Sequence, residues 1–133
     1  MRRLLALVLP TVVLALAVAA SAAAARTIAT ATTTDFRVVL TASKGKPTGG
    51  APSATVRISL YSRSGDGWRS FANRRVPGTY FWNTVTGGHA VCLLEVRTAG
   101  DAPGFRSVAV VQLLVTPSVG CGRARSFPLV TAP

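Results

Sequence analysis

The chain has 133 residues, with 15 Lys and Arg against four Asp and Glu, and its formal net charge is +11. This length allows one domain that buries about 65% of the surface exposed by its unfolded chain, and it excludes a multidomain enzyme. The hydrophobic fraction is 49%, and even without the very apolar residues 1–25 it is too high for a disordered chain, so a folded and strongly basic domain is expected.

Residues 1–25 have the three-part pattern of a secretory signal peptide: a positive start, an apolar stretch and a run of small residues. We predict a helical signal peptide here and a secreted mature protein without a membrane span. Cleavage is expected before Ala23 or before Arg26, because small side chains precede both bonds. The alternative is an uncleaved membrane anchor, since residues 4–25 carry no charge and are about long enough to cross a bilayer.

The mature chain begins with a Thr- and Ala-rich stretch and then becomes strand-like. Residues 26–34 show no strong period, so we expect a flexible N-terminal segment there, followed by one domain over residues 35–133. Alternation of apolar side chains at Phe36, Val38 and Leu40 predicts the first strand. The many turn-forming residues over 44–52 predict a loop.

A hairpin is predicted next. Residues 56–61 alternate apolar and polar side chains, as in a half-buried strand. Residues 64–67 predict its turn, because the Asp66–Gly67 pair tolerates the positive φ that tight hairpins need. Residues 68–74 would form the returning strand.

Four further strands follow. Cys92, Leu94 and Val96 are expected on one face of the second of them. The third is apolar on both faces, which predicts a central strand covered on both sides. Their predicted ranges are residues 80–85, 90–98, 107–116 and 124–130.

Short strands separated by turn residues, with no sustained helical period, define the expected fold class. The sequence predicts an all-β protein with six or seven strands. The architecture is an antiparallel β-sandwich, immunoglobulin-like in the loose sense.

The two cysteines, Cys92 and Cys121, are predicted to form a disulfide, because an even cysteine count in an exported protein favours pairing. The bridge would close a loop of about 30 residues and stabilise the fold by roughly 3.5 kcal/mol. The alternative is a reactive thiol at Cys92, three residues after His89.

Three segments carry a resemblance: residues 35–40 (DFRVVL), 77–82 (PGTYFW) and 112–117 (QLLVTP). Together with the Ala- and Val-rich leader and the Arg-dominated basicity, they resemble small secreted proteins of high-GC actinobacteria, over most of residues 34–128. The resemblance implies export and carries over no activity.

Catalytic chemistry is poorly supplied. The acids are Asp35, Asp66, Glu95 and Asp101, His89 is the single histidine, and no nucleophile-elbow, phosphate-loop or nucleic-acid motif is present. We therefore expect no enzyme, no metal site and no cofactor.

Arginine is the unusual residue, since it supplies all but two of the 15 basic side chains. Guanidinium groups bind phosphate, sulfate and carboxylate in a bidentate manner. Strand alternation places three arginines opposite apolar faces, and four more cluster around the predicted hairpin of residues 56–74, near Tyr61 and Trp68. The alternative is a solvated face that only maintains solubility. The candidate anion-binding residues are Arg37, Arg57, Arg63, Arg69, Arg74, Arg75 and Arg97.

These features predict a secreted, non-catalytic protein that binds anionic cell-wall or extracellular polymers through an Arg-rich surface. One alternative is a carbohydrate-binding module in which Tyr80 and Trp82 form a flat platform for sugar rings. The other alternative is a protease inhibitor that presents a rigid loop near Cys121.

Overall fold

The computed structural model describes residues 24–48, 50–98 and 106–129. They form two antiparallel sheets that enclose one core, so the prediction of an all-β sandwich is confirmed. The first sheet has the order β1-β2-β3-β4, with β5 on β3, and in the second sheet β7 pairs with β6, β8 and β9. The elements are β1 (Arg26–Thr32), β2 (Phe36–Thr48), β3 (Ala51–Ser64), β4 (Gly67–Arg75), β5 (Tyr80–Phe81), α1 (Trp82–Val85), β6 (Val91–Arg97), β7 (Val108–Thr116), β8 (Gly120–Cys121) and β9 (Arg125–Pro128).

The prediction of a flexible segment over residues 26–34 is wrong, because β1 pairs with β2 along its length. Ile28 and Ala29 pack against the core, and threonine suits a strand that is half exposed. A tight turn joins β1 to β2, in which the Phe36 N–H donates to Thr33 Oγ1 at 3.1 Å. Most of the predicted signal peptide, residues 1–23, lies outside the described residues.

The β2–β3 hairpin is longer than predicted. Instead of a loop over residues 44–52, both strands continue to the tip, where Thr48 pairs with Ala51. An irregularity in the register between Lys44 and Pro47 accommodates the proline, which cannot donate a ladder hydrogen bond. Cross-strand pairing therefore overrides the local turn preference.

The β3–β4 hairpin was predicted correctly, with a different residue in the special conformation. Ser64 pairs with Gly67, leaving a two-residue turn. The positive φ of 58° belongs to Gly65, whereas Asp66 has no positive φ. Glycine at the first central position is the requirement of a type II′ turn.

The core forms where the predicted alternation places it. Val56, Ile58 and Leu60 of β3 are fully buried, as are Val38 and Leu40 of β2. Each such side chain contributes about 1.5–3 kcal/mol to folding. The opposite face of β3 is therefore left for polar and charged residues.

Residues 80–85 were predicted as one strand, and this is wrong beyond Phe81. The chain turns into the single helical turn α1, in which the Thr86 N–H and Oγ1 both donate to the Trp82 carbonyl, at 3.0 and 2.6 Å. The turn places Val85 in the core at 1% exposure. Burial of Val85 outweighs the strand preference of the aromatic residues.

The predicted disulfide is present: Cys92 of β6 is bonded to Cys121 of β8. The prediction that Cys92 shares a face with Leu94 and Val96 is wrong. A register shift between Val91 and Leu93 reverses the alternation, so Cys92 is exposed while Leu94 and Val96 pack on the core. Strand β7 is central, as predicted. The prediction that it is covered on both sides is wrong, because Gln112 and Leu114, on the face opposite Val111 and Leu113, remain partly exposed.

Candidate functional site: an arginine cleft at the sandwich edge

The seven candidate arginines do not form one stripe. Arg37 and Arg57 lie on adjacent strands of the first sheet, whereas Arg97 lies on β6 in the second sheet. Arg97 Nη2 is 3.1 Å from Glu95 Oε2, and it forms the one ion pair found among the described residues. Arg97 is therefore separated from Arg37 and Arg57, because sequence alternation defines the face of a strand without defining the sheet to which the strand belongs.

Three arginines do converge, in a cleft lined by residues of both sheets that we call the edge cleft. Strands β4 and β9, each hydrogen-bonded to a single strand in the described structure, both contribute residues to its lining. Its volume is about 590 Å³. The lining residues are Arg57, Asn73, Arg74 and Arg75 from the first sheet and Ser126, Phe127 and Pro128 from β9.

Cross-strand pairing explains why the arginines meet. Arg57 of β3 is paired with Arg75 of β4, so both side chains leave the sheet on the same face. Arg74 precedes Arg75 and leaves β4 on the other face, but β4 is an edge strand, so Arg74 still borders the cleft. The cleft thus has one cationic wall and one uncharged wall.

Arg57 is held in place by a short hydrogen-bonded chain. Its Nε donates to Asn73 Oδ1 at 2.5 Å, and Asn73 Nδ2 donates to Ser59 Oγ at 2.8 Å. Because Ser59 is only 8% exposed, it fixes this series of hydrogen bonds to the sheet. The terminal Nη groups of Arg57 have no hydrogen-bond partner in the part of the chain that the structure describes. These groups are therefore oriented and available to an anion.

No carboxylate neutralises the cleft within the described ranges. Asp35 and Asp66 lie near the opposite end of β3, and Glu95 is on β6 with Arg97. Like charges that are close together repel, and an anion between them relieves the repulsion. The electrostatics of the cleft therefore favour a negatively charged ligand.

A fourth arginine, Arg125 of β9, directly precedes Ser126 of the cleft lining. Burial raises the pKa of the Tyr80 hydroxyl, and the positive charges of Arg125 and Arg75 oppose that rise. Both guanidinium groups therefore act at Tyr80, which is buried between the sheets. Arg125 Nε is itself buried without a hydrogen-bond partner among the described atoms. Arg125 and Asn73 were not among the residues predicted from the sequence. Pairing of the predicted last strand with β7 sets Arg125 opposite the core residue Val111, and this pairing would have indicated Arg125.

The remaining candidate arginines lie away from the cleft. Arg63 is at the far end of β3, with its guanidinium 4.3 Å from the centre of the Trp68 ring. Arg69 is paired with Ser62, which is 8% exposed, so Arg69 points to the other face of β4 from Trp68. The predicted cluster around the hairpin is therefore divided between two faces.

The predicted platform of Tyr80 and Trp82 does not form. Tyr80 is 5% exposed, and its hydroxyl donates to the Pro77 carbonyl at 2.8 Å. Trp82 begins α1 and packs partly against the core. Because the strand ends at Phe81, the alternation that would have exposed both rings together does not apply.

The other candidate groups are dispersed. His89 is exposed in the loop before β6, and no group of three or more His, Cys, Asp or Glu side chains suited to a metal occurs in the described part of the chain. Asp101 lies outside it. No described helix is long and apolar enough to cross a membrane. No family model, curated protein or solved structure was found to match this chain.

Proposed function

We propose that this is a secreted, non-catalytic protein that binds anionic envelope or extracellular polymers through the edge cleft. The observation that carries the proposal is the convergence of Arg57, Arg74 and Arg75 on a cleft whose described lining residues include no carboxylate. Sulfate, phosphate and carboxylate groups each accept two parallel hydrogen bonds from a guanidinium group. The opening along the sandwich edge suits a segment of a polymer.

The mode of binding follows from the two walls of the cleft. The net charge attracts a polyanion over a long range, and the attraction weakens as salt screens it. Arg57 is pre-oriented by Asn73, so little side-chain entropy is lost when it binds. The uncharged wall at Ser126 and Pro128 leaves room for the neutral part of the polymer between its charged groups.

The experiment is retention of the purified protein on immobilised heparin at increasing salt. Neutralising the cleft in the triple variant Arg57→Gln, Arg74→Gln and Arg75→Gln should remove most of the retention. The control for the single variant Arg57→Gln is Arg97→Gln, which removes a cation from the second sheet and should elute close to the parent. Equal elution of the Arg57→Gln and Arg97→Gln proteins would show that net charge alone is responsible and would reject the cleft.

Export is supported by the leader-like N-terminus and by the disulfide, which is typical of oxidising compartments. Strand β1 begins at Arg26, so cleavage before Ala23 or before Arg26 leaves every described strand intact. Intact mass spectrometry of protein from culture medium should give one of these two N-termini. Recovery of the uncleaved chain in the membrane fraction would support the anchor instead.

A further inference from the structure

The edge cleft is one end of a longer row of side chains on the outer face of the first sheet. Arg57 is paired with Arg75 and Arg63 with Trp68, and Tyr61 lies between Arg57 and Arg63 on the same face of β3. Alternate residues of a strand share a face, and the distance from Arg57 to Arg63 is about 20 Å. We call these five residues the outer-face strip.

Planar rings and guanidinium groups meet at the far end of the strip. The Arg63 guanidinium lies against the Trp68 ring at 4.3 Å, and both Trp68 and Tyr61 are partly exposed. On β2, Arg37 is paired with Tyr61 and so leaves the sheet beside it. The strip therefore has cations at the cleft end and cations with aromatic rings at the far end.

We infer that the polymer is a single-stranded nucleic acid, an inference that rests on the proposed function. Phosphate groups would bind Arg57 and Arg75 in the cleft, and bases would stack at Trp68 and Tyr61 or on the guanidinium plane of Arg63. Sulfated glycans and polyol phosphates have no planar bases, so they would use the arginines alone. In a duplex the base faces are stacked inside and inaccessible to the rings.

The test compares two probes with the same number of phosphates: an oligothymidylate of about 12 nucleotides, within the roughly 4–16 that such surfaces cover, and an abasic backbone of equal length. Fluorescence anisotropy with the full chain at low salt should show tighter binding of the oligothymidylate, by on the order of tenfold. Trp68→Ala should remove that difference while affinity for the abasic probe changes by less than about twofold. Trp68→Phe, which keeps a planar ring, should retain most of the difference.

The outcomes separate this inference from the proposed function. Equal affinity for both probes, with both weakened by the triple cleft variant, would overturn the nucleic-acid assignment and leave polyanion binding intact. The nucleic-acid assignment would also be overturned if heparin binds more tightly than the oligothymidylate and its affinity is unaffected by Trp68→Ala. If the triple variant binds both probes as well as the parent does, the proposed function itself fails. Thermal unfolding of the Trp68→Phe protein, expected to match the parent, keeps the comparison valid if Trp68→Ala folds poorly.

Discussion

Asn73 couples the stability of the sheet to the geometry of the edge cleft, so replacing it should affect both. Asn73→Ala removes the acceptor for Arg57 Nε and the donor to Ser59 Oγ. The first bond is exposed and contributes about 0.5 kcal/mol, and the second is partly buried and contributes about 1 kcal/mol. Urea unfolding should therefore show a loss of roughly 1–2 kcal/mol without a change in the slope m.

Asn73→Asp is the matched variant, because it keeps an oxygen in the same position and adds a negative charge. The carboxylate accepts from Arg57 and from the Ser59 hydroxyl, so stability should stay within about 0.5 kcal/mol of the parent. The same carboxylate occupies the Arg57 guanidinium and lowers the positive charge of the cleft. In Asn73→Ala, Arg57 is only freed to rotate, which should weaken polyanion binding by about 0.5–1.5 kcal/mol. In Asn73→Asp the affinity for polyanions should therefore fall further.

The two variants thus rank in opposite orders in the two assays. Asn73→Asp is expected to be the more stable and the weaker binder, as measured by urea unfolding and by the salt needed to elute from heparin. If Asn73→Asp binds polyanions as tightly as the parent, Arg57 does not contact the ligand. Binding of polyanions in the edge cleft would then be ruled out, whatever the stabilities of the two variants.

Three further predictions concern the fold. Replacing Cys92 and Cys121 together by Ser should lower the free energy of unfolding in urea by about 3.6 kcal/mol, because the bridge closes a separation of 29 residues. Both positions are exposed, so the replacement leaves no cavity. A loss below about 1 kcal/mol would contradict the chain-entropy explanation. Gly78→Ala should lower the melting temperature, because Gly78 has a φ of 134° and an added Cβ would lie 2.7 Å from the Tyr80 hydroxyl oxygen. Gly88→Ala is the control, since a Cβ at that position meets no atom within 4 Å. Burial raises the pKa of the Tyr80 hydroxyl above its ordinary 10.0. The protonated hydroxyl therefore contributes to the free energy of unfolding below pH 10, and this contribution is lost as the pH rises through the folded-state pKa. Tyr80→Phe should therefore flatten the fall in stability above pH 10, and an unchanged pH profile would show that another group causes it.

Much of the fold could be predicted from local pattern. The period-two alternation over residues 56–61 defines a buried and an exposed face, and glycine at position 65 permits the two-residue turn that sets the register of β3 against β4. The disulfide between Cys92 and Cys121 was likewise predicted, from cysteine count and expected export. These properties depend on backbone sterics, side-chain hydrophobicity and covalent chemistry, which a short segment expresses by itself.

Other features were decided by partners distant in the chain. Residues 26–32 have no strong pattern and become a strand because β2 offers them an edge. Residues 82–85 have strand-forming composition and become a helical turn because Val85 is buried at the core. In both places the free energy of pairing or burial exceeds the few tenths of a kcal/mol by which local propensities differ.

The candidate site likewise depends on residues that are distant in the chain. Alternation alone correctly placed Arg57 and Arg97 opposite apolar faces, yet only the assignment of strands to sheets separates them. Arg57 joins Arg75 through cross-strand register, and the cleft exists because the edges of β4 and β9, about 50 residues apart in sequence, border the same opening. Composition and local alternation thus account for the charge, the bridge and most strand faces, with Cys92 as the exception. Which arginines meet depends on strand order, which no local interaction encodes.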